Sequence, residues 1–360
     1  MLFLENEKTL DLKKLRELSE QGDAEAQYKL GVYYNIGDGA EINMTEAIKW
    51  YKAAAEYGNA DAQYNLGVCY FTGEGVELNY TEAVKWYKAA AEQGEKNSQY
   101  NLGLCYENGY GVEQDKSETV RWYNAAAVQG HVPAQYKLGC CYYIGKGVEM
   151  DKAEAVKWYK AAAVQGHVTA QYNLGIFYTN GEGVEMDKAE EVKWYKAAAV
   201  QGYAEAQYNL GVCYYIGESV EMDKAEAVKW FKAAAEQGDA KAQYNLGVCY
   251  ANGYGVEIDK AEAVKWYKAA AEQGYAKAQY DLGFFANGYG VEIDKTKAVK
   301  WYKAAAGQEN AKAQNSITTN RRSCIRSAVL HCNIIIFSTL RERKAAAWGK
   351  APAFPQAYRK

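Results

Sequence analysis

Histidine is nearly absent from this 360-residue chain, which has three: His131, His167 and His331. No His-Glu-x-x-His helix and no paired Cys-x-x-Cys elements occur, which excludes the common zinc frameworks. Serine is scarce and has no base arranged around it, so a nucleophile has nothing to rest on. No hydrophobic run is long enough to cross a bilayer, and no transmembrane segment is expected. The opening residues, Met1-Leu2-Phe3-Leu4-Glu5-Asn6-Glu7, lack a basic segment followed by an apolar one. Secretion by a signal peptide is therefore not expected. Gly73-Glu74-Gly75-Val76 and its copies lack the Gly-Lys-Ser/Thr ending of a phosphate loop and read as turn glycines. These gaps leave no catalytic residue, no metal ligand and no cofactor to assign, and an enzyme is not expected.

Arginine is also rare: only Arg16 and Arg121 precede residue 315. From Asn315 onward there are nine Lys or Arg against one acid, Glu342, so the net charge of -3 divides into about -11 before that point and +8 after it. An acidic body is unsuited to tracking phosphates, so nucleic acid is not an expected partner of the repeats. The chain has eight cysteines, and Cys69, Cys105, Cys141, Cys213 and Cys249 share one position of a repeating pattern. Stacked helices hold such sulfurs roughly 10 Å apart, beyond disulfide reach. Tyr33 and Phe177 fill the same slot, so the position asks for bulk. Buried apolar thiols in a reduced, cytoplasmic protein are expected.

What the sequence does have is a cadence. A Gln-Tyr pair recurs every 36 residues from Gln27-Tyr28 to Gln279-Tyr280, and between those marks a Trp-aromatic pair runs from Trp50-Tyr51 to Trp301-Tyr302. Such self-similarity marks a stack of supersecondary units that share one core. In the unit from Asn59 to Gly94, Ala62, Leu66 and Tyr70 fall at i, i+4 and i+8 of a first helix, helix A. Gly67 adjoins that stripe at a cost of about 1 kcal/mol against Ala, which points to close approach of the partner helix. Gly73 and Gly75 end helix A, and Val76 folds back as a plug.

Helix B opens at Asn79 with Glu82 three residues on, a variant of the capping box repeated at Asp151/Glu154, Asp187/Glu190, Asp223/Glu226 and Asp259/Glu262. Its apolar stripe is Ala83, Trp86, Tyr87 and Ala90, with Lys85 and Lys88 outside and Gly94 closing it.

The expected architecture is all-α: a solenoid of about eight helix-turn-helix units over residues 23–313. Residues 1–22 form an N-terminal capping helix, in which Leu12, Leu15 and Leu18 turn inward and Lys13, Lys14 and Arg16 outward. Residues 314–360 form a basic tail with three open readings: a displaced C-terminal cap, a disordered tail, or sequence translated out of frame.

The succession Ala-x-Ala-Gln-Tyr-x-Leu-Gly, Gly-x-Gly-Val, Asp-x-x-x-Ala-x-x-Trp-Tyr-x-x-Ala-Ala and Gly resembles the Sel1-like repeat, a 36-residue relative of the tetratricopeptide repeat. The resemblance implies a right-handed superhelix of paired antiparallel helices that serves as a scaffold or adaptor. The disulfide-bonded bacterial branch of that family has two cysteines per repeat; this chain has one, so that branch's properties do not carry over.

On a helical wheel Asp61, Tyr64, Asn65 and Val68 fall opposite the side of helix A that faces helix B. In tetratricopeptide-like stacks this side lines a concave groove. The expected contact residues form two ladders. One is Tyr64, Tyr100, Tyr172, Tyr208 and Tyr244, with Tyr28, Tyr136 and Tyr280 as further rungs. The other is Asn65, Asn101, Asn173, Asn209 and Asn245, with Lys29, Lys137 and Asp281 at the remaining equivalents. Asn amides can pair with the backbone of an extended peptide, and Tyr supplies rigid apolar area with a polar tip. Packing against the adjacent helix is the alternative use of the same residues. A monomeric, non-enzymatic scaffold with a protein or peptide partner is the leading expectation. A structural or regulatory subunit, docked on an enzyme or an anionic membrane through its convex face or basic tail, is the rival.

Overall fold

Repeats such as the first two open with a side chain that receives the free amides of a helix start. Asp23 Oδ1 accepts from the Ala26 amide at 2.7 Å, and Asn59 Oδ1 from Ala62 at 2.8 Å; these are donors that an α-helix cannot satisfy internally. Helix A stops at a left-handed glycine such as Gly73, φ 76°, whose amide donates to the Cys69 carbonyl. Helix B closes in a Schellman arrangement: Glu95 N donates to Ala90 O at 3.1 Å and Gly94 N to Ala91 O at 3.0 Å. The computed structural model describes residues 12–37, 41–286 and 295–307, and no strand occurs among them.

The chain divides into two units, residues 1–167 and 168–360. In the first, α1 (12–20) precedes four hairpins. These are α2 (Ala24–Ile36) with α3 (Met44–Glu56), α4 (Ala60–Thr72) with α5 (Tyr80–Glu92), α6 (Lys96–Asn108) with α7 (Lys116–Val128), and α8 (Val132–Ile144) with α9 (Lys152–Val164). In the second they are α10 (Val168–Asn180) with α11 (Lys188–Ala199), α12 (Ala204–Ile216) with α13 (Lys224–Glu236), α14 (Ala240–Asn252) with α15 (Lys260–Glu272), and α16 (Ala276–Ala286) with α17 (Lys295–Ala306). Within each unit every A helix packs on its own B helix, and that B helix on the A helix of the next hairpin. This is the packing of an α-solenoid.

The mid-helix glycines make the hairpins close. A Cβ on Gly67 would sit 2.7 Å from the Tyr87 ring, and one on Gly211 2.7 Å from the Phe231 ring. The aromatic half of each Trp-aromatic pair thus lies flat on a glycine and is sealed: Tyr87 is 2% exposed and Phe231 1%. Burying a side chain of that size contributes about 1.5–3 kcal/mol, more than the helix propensity lost at the glycine. Val76 packs on the cluster containing Ile48, Leu66 and Cys69.

Two sequence expectations change. Leu18 stands exposed, while Ser19 behind it is buried, its hydroxyl donating to Leu15 O at 2.7 Å. The second change concerns the capping boxes, which are only half formed. The cap side chains accept as expected, but the cap amides donate to helix A instead, Asn79 to Tyr70 O at 2.9 Å and Asp151 to Tyr142 O at 3.0 Å. The acids are released for other bonds: Glu118, Glu190, Glu226 and Glu262 accept the indole Nε1 of Trp122, Trp194, Trp230 and Trp266 at 2.8–3.1 Å. The tail, 314–360, and the first eleven residues lie outside the described residues.

Candidate protein-binding surface

The Tyr and Asn rungs lie along helix A, and their exposure varies with the side chains that their own and the neighbouring hairpins present. In the first unit Tyr64, Asn65, Tyr100 and Asn101 are all half-buried. Tyr64 leans on Tyr87 with ring centroids 6.3 Å apart, and Tyr100 on Tyr123 at 5.7 Å. The Asn65 amide lies near the Tyr28 hydroxyl, and that of Asn101 near the Tyr87 hydroxyl. Burial, with the Glu95 carboxylate adding to it, pushes the Tyr64 phenol above its ordinary value. Tyr64 therefore remains a neutral donor through the physiological range.

In the second unit Tyr172 and Asn209 are half-buried, whereas Asn173, Tyr208, Tyr244 and Asn245 are buried. Tyr244 is 1% exposed: its ring lies 5.3 Å from Tyr275 and its hydroxyl donates to Asp281 Oδ2 at 3.0 Å. An aromatic residue just before the next helix A covers half-buried and buried rungs alike. Tyr203 covers Tyr172 at 5.0 Å and His131 covers Tyr100 at 4.8 Å.

Two clusters were not anticipated from the sequence. In the first unit Glu107 is gripped by Lys137 Nζ and Lys146 Nζ, each at 2.8 Å, and by the Tyr123 hydroxyl at 2.7 Å. Burial raises the Glu107 pKa, but Lys137 and these hydrogen bonds outweigh it and bring it to about 2. The signal was a double departure: Glu107 stands where Phe71 and Tyr143 stand, and Lys137 replaces an Asn of the ladder. In the second unit the buried Glu191 accepts from Ser219 Oγ at 3.0 Å. Glu191 replaces an Ala and Ser219 the second turn glycine.

No group of three or more His, Cys, Asp or Glu that could hold a metal occurs among the described residues, and none of their helices is long and apolar enough to cross a membrane. Cys69, Cys105, Cys141, Cys213 and Cys249 are buried free thiols. Burial pushes Cys105 up to about 12, away from thiolate reactivity.

The Sel1 repeat matches eight consecutive segments: residues 24–59, 60–95, 96–131, 132–167, 168–203, 204–239, 240–275 and 276–310. The chain belongs to the Sel1-repeat family. Two solved Sel1-repeat structures are similar to it. One is c5321, a protective antigen of uropathogenic Escherichia coli strains with an SLR fold, at 38% identity and a TM-score of 0.81 over 85% of this chain. The chain spans 66% of that protein's length. The other is a Sel1 repeat protein of Oxalobacter formigenes, at 35% identity and a TM-score of 0.63, covering 86% of this chain and 90% of that one. No curated protein matches. Sel1-repeat proteins generally mediate protein–protein interactions on a scaffold that is generally non-catalytic.

Proposed function

We propose that this Sel1-repeat chain is a non-enzymatic scaffold whose helix-A faces hold an extended segment of a partner protein. The observation that carries this reading is the run of half-buried Tyr64, Asn65, Tyr100 and Asn101 on successive A helices of the first unit. Each amide lies near a tyrosine hydroxyl and keeps hydrogen-bonding capacity, since an Asn side chain has two donors and two acceptor sites. A peptide backbone laid across them would gain bonds without displacing core. In the second unit Tyr172 and Asn209 are the corresponding half-buried rungs, while Asn173 and Asn245 stay packed. The buried free thiols fit a reducing, cytoplasmic setting.

Peptides selected against the full-length chain from a displayed library provide the test. Asn65→Ala with Asn101→Ala is expected to weaken the selected peptides at least tenfold while shifting the melting temperature little. Selected peptides that bind the double variant undiminished would remove helix A of the first unit as the site.

A further inference from the structure

The loop edge of the second unit, remote from the helix-A rungs in sequence position, carries an unexplained row of apolar side chains. Met186, Met222 and Ile258 occupy one position in three successive repeats and are 72%, 58% and 63% exposed. Each lies just before the N-cap of a B helix, where an apolar residue ordinarily packs down as a hydrophobic staple. These do not. Their stems rest on the glycines that end helix A: a Cβ on Gly217 would lie 2.7 Å from Met222 Cβ, and one on Gly253 2.9 Å from Ile258 Cγ1. The stems are thereby fixed while the tips stand in solvent. Stacked hairpins set such rungs on the order of 10 Å apart.

Charge decides what could cover the row. The three loops, 181–188, 217–224 and 253–260, contain eight carboxylates against three lysines, a net charge of -5. Glu185, Glu221 and Glu257 directly precede the apolar residues and are all exposed. Two of the lysines are engaged inside the edge: Lys188 pairs with Glu218 at 3.4 Å, and Lys224 lies 4.5 Å from the centre of the Tyr254 ring. An apolar row set in negative charge repels an anionic lipid surface and attracts cationic apolar chains. Methionine adapts to varied apolar partners.

We propose that Met186, Met222 and Ile258, with Glu185, Glu221 and Glu257, form a docking surface for a basic amphipathic segment of a partner protein. This surface is separate from the helix-A reading above and stands or falls without it. The probe is a helical 21-residue peptide with leucines on one face and lysines on the other, titrated onto the full-length chain. Binding is expected to weaken at least tenfold in Met186→Ser/Met222→Ser/Ile258→Ser, and to weaken as salt rises. Those side chains are exposed, so the helical signal and melting temperature should match the parent and separate lost docking from lost fold. Four results would overturn the proposal: no binding by the parent chain, undiminished binding by the triple variant, equal binding of the same peptide with glutamates for lysines, or sedimentation with phosphatidylserine vesicles that the triple variant abolishes. Concentration-dependent dimerisation lost in the triple variant would likewise overturn it in favour of a second copy.

Discussion

Tyr57 stands where Gln93 stands one repeat later, and Gln27 Oε1, the atom a glutamine there would serve, is buried without a hydrogen-bond partner. The later repeats show the intended arrangement. Gln93 Nε2 donates to Gln63 Oε1 at 2.7 Å, and Gln63 Nε2 donates on to Ala55 O at 3.1 Å, joining three helices by one polar relay. The same relay recurs as Gln129–Gln99–Ala91 and Gln237–Gln207–Ala199.

Tyr57 is 69% exposed, so replacing it removes little packing. Tyr57→Gln is expected to stabilise the first unit by about 1 kcal/mol, the worth of a hydrogen bond to a buried acceptor. Urea unfolding monitored by circular dichroism reads it; an unchanged or lower midpoint would show that Gln27 Oε1 is served by water.

A second expectation concerns the glycine–aromatic contact. Gly211→Ala should destabilise the second unit by about 1–2 kcal/mol, because the clash with Phe231 outweighs the gain in helix propensity. Adding Phe231→Leu, which vacates the clash, should cost less than the sum of the two single changes. Strict additivity in a double-mutant cycle would sink the close-approach account.

Acid should remove the stabilisation that the Glu107 cluster gives the first unit. Its folded pKa of about 2 lies below the ordinary glutamate value of about 4.3. The stabilisation is complete above pH 4.3 and is lost as pH falls from there toward 2. Glu107→Gln leaves the buried Lys137 and the half-buried Lys146 without their carboxylate and should cost about 3 kcal/mol at neutral pH. The variant's stability should also fall less steeply than the parent's between pH 4.3 and 2. Parallel pH profiles for the two proteins would contradict this.

His131 supplies a milder pH dependence. Its Nδ1 accepts the Ala134 amide at 3.2 Å, which requires the unprotonated ring. Burial, then the neighbouring Lys96, lower its pKa, against an opposing pull from Glu95. With the folded pKa depressed, the cap holds above about pH 6.5 and is lost as pH falls below it. His131→Asn keeps an acceptor that does not titrate, and it should flatten the change in thermal midpoint between pH 7.5 and 5.5 relative to the parent. An equal slope in both would mean that the ring does not cap.

The helices, their order and their ends were legible in the sequence because each depends on residues a few positions apart. Asn59 caps the start of one helix, Gly73 stops the end of the same helix, and Ala62, Leu66 and Tyr70 share a stripe between them. The burial of the candidate rungs was not legible in the same way. Tyr64 and Tyr244 sit in the same local sequence, Gln-Tyr-Asn-Leu-Gly-Val-Cys-Tyr, yet one is half-buried and the other buried. What separates them arrives 30 or more residues later, in the side chains that the next hairpin brings across, such as Tyr275 and Asp281 over Tyr244. The Glu107 cluster was hidden for the same reason: its members, at positions 107, 123, 137 and 146, meet only once the hairpins stack.

The glutamine relay has a consequence for how such a chain can change length. Each clip reaches from one hairpin to the end of the hairpin before it and no further, as from Gln93 to Ala55, so every stretch of 36 residues carries the groups for one junction. Duplication or excision of one whole stretch reproduces the same junction, whereas loss of a few residues inside a hairpin breaks the clip on both sides. Growth by copying is thereby the path of least disruption for this architecture, with each new copy then free to acquire its own departures, as Glu191 and Ser219 show.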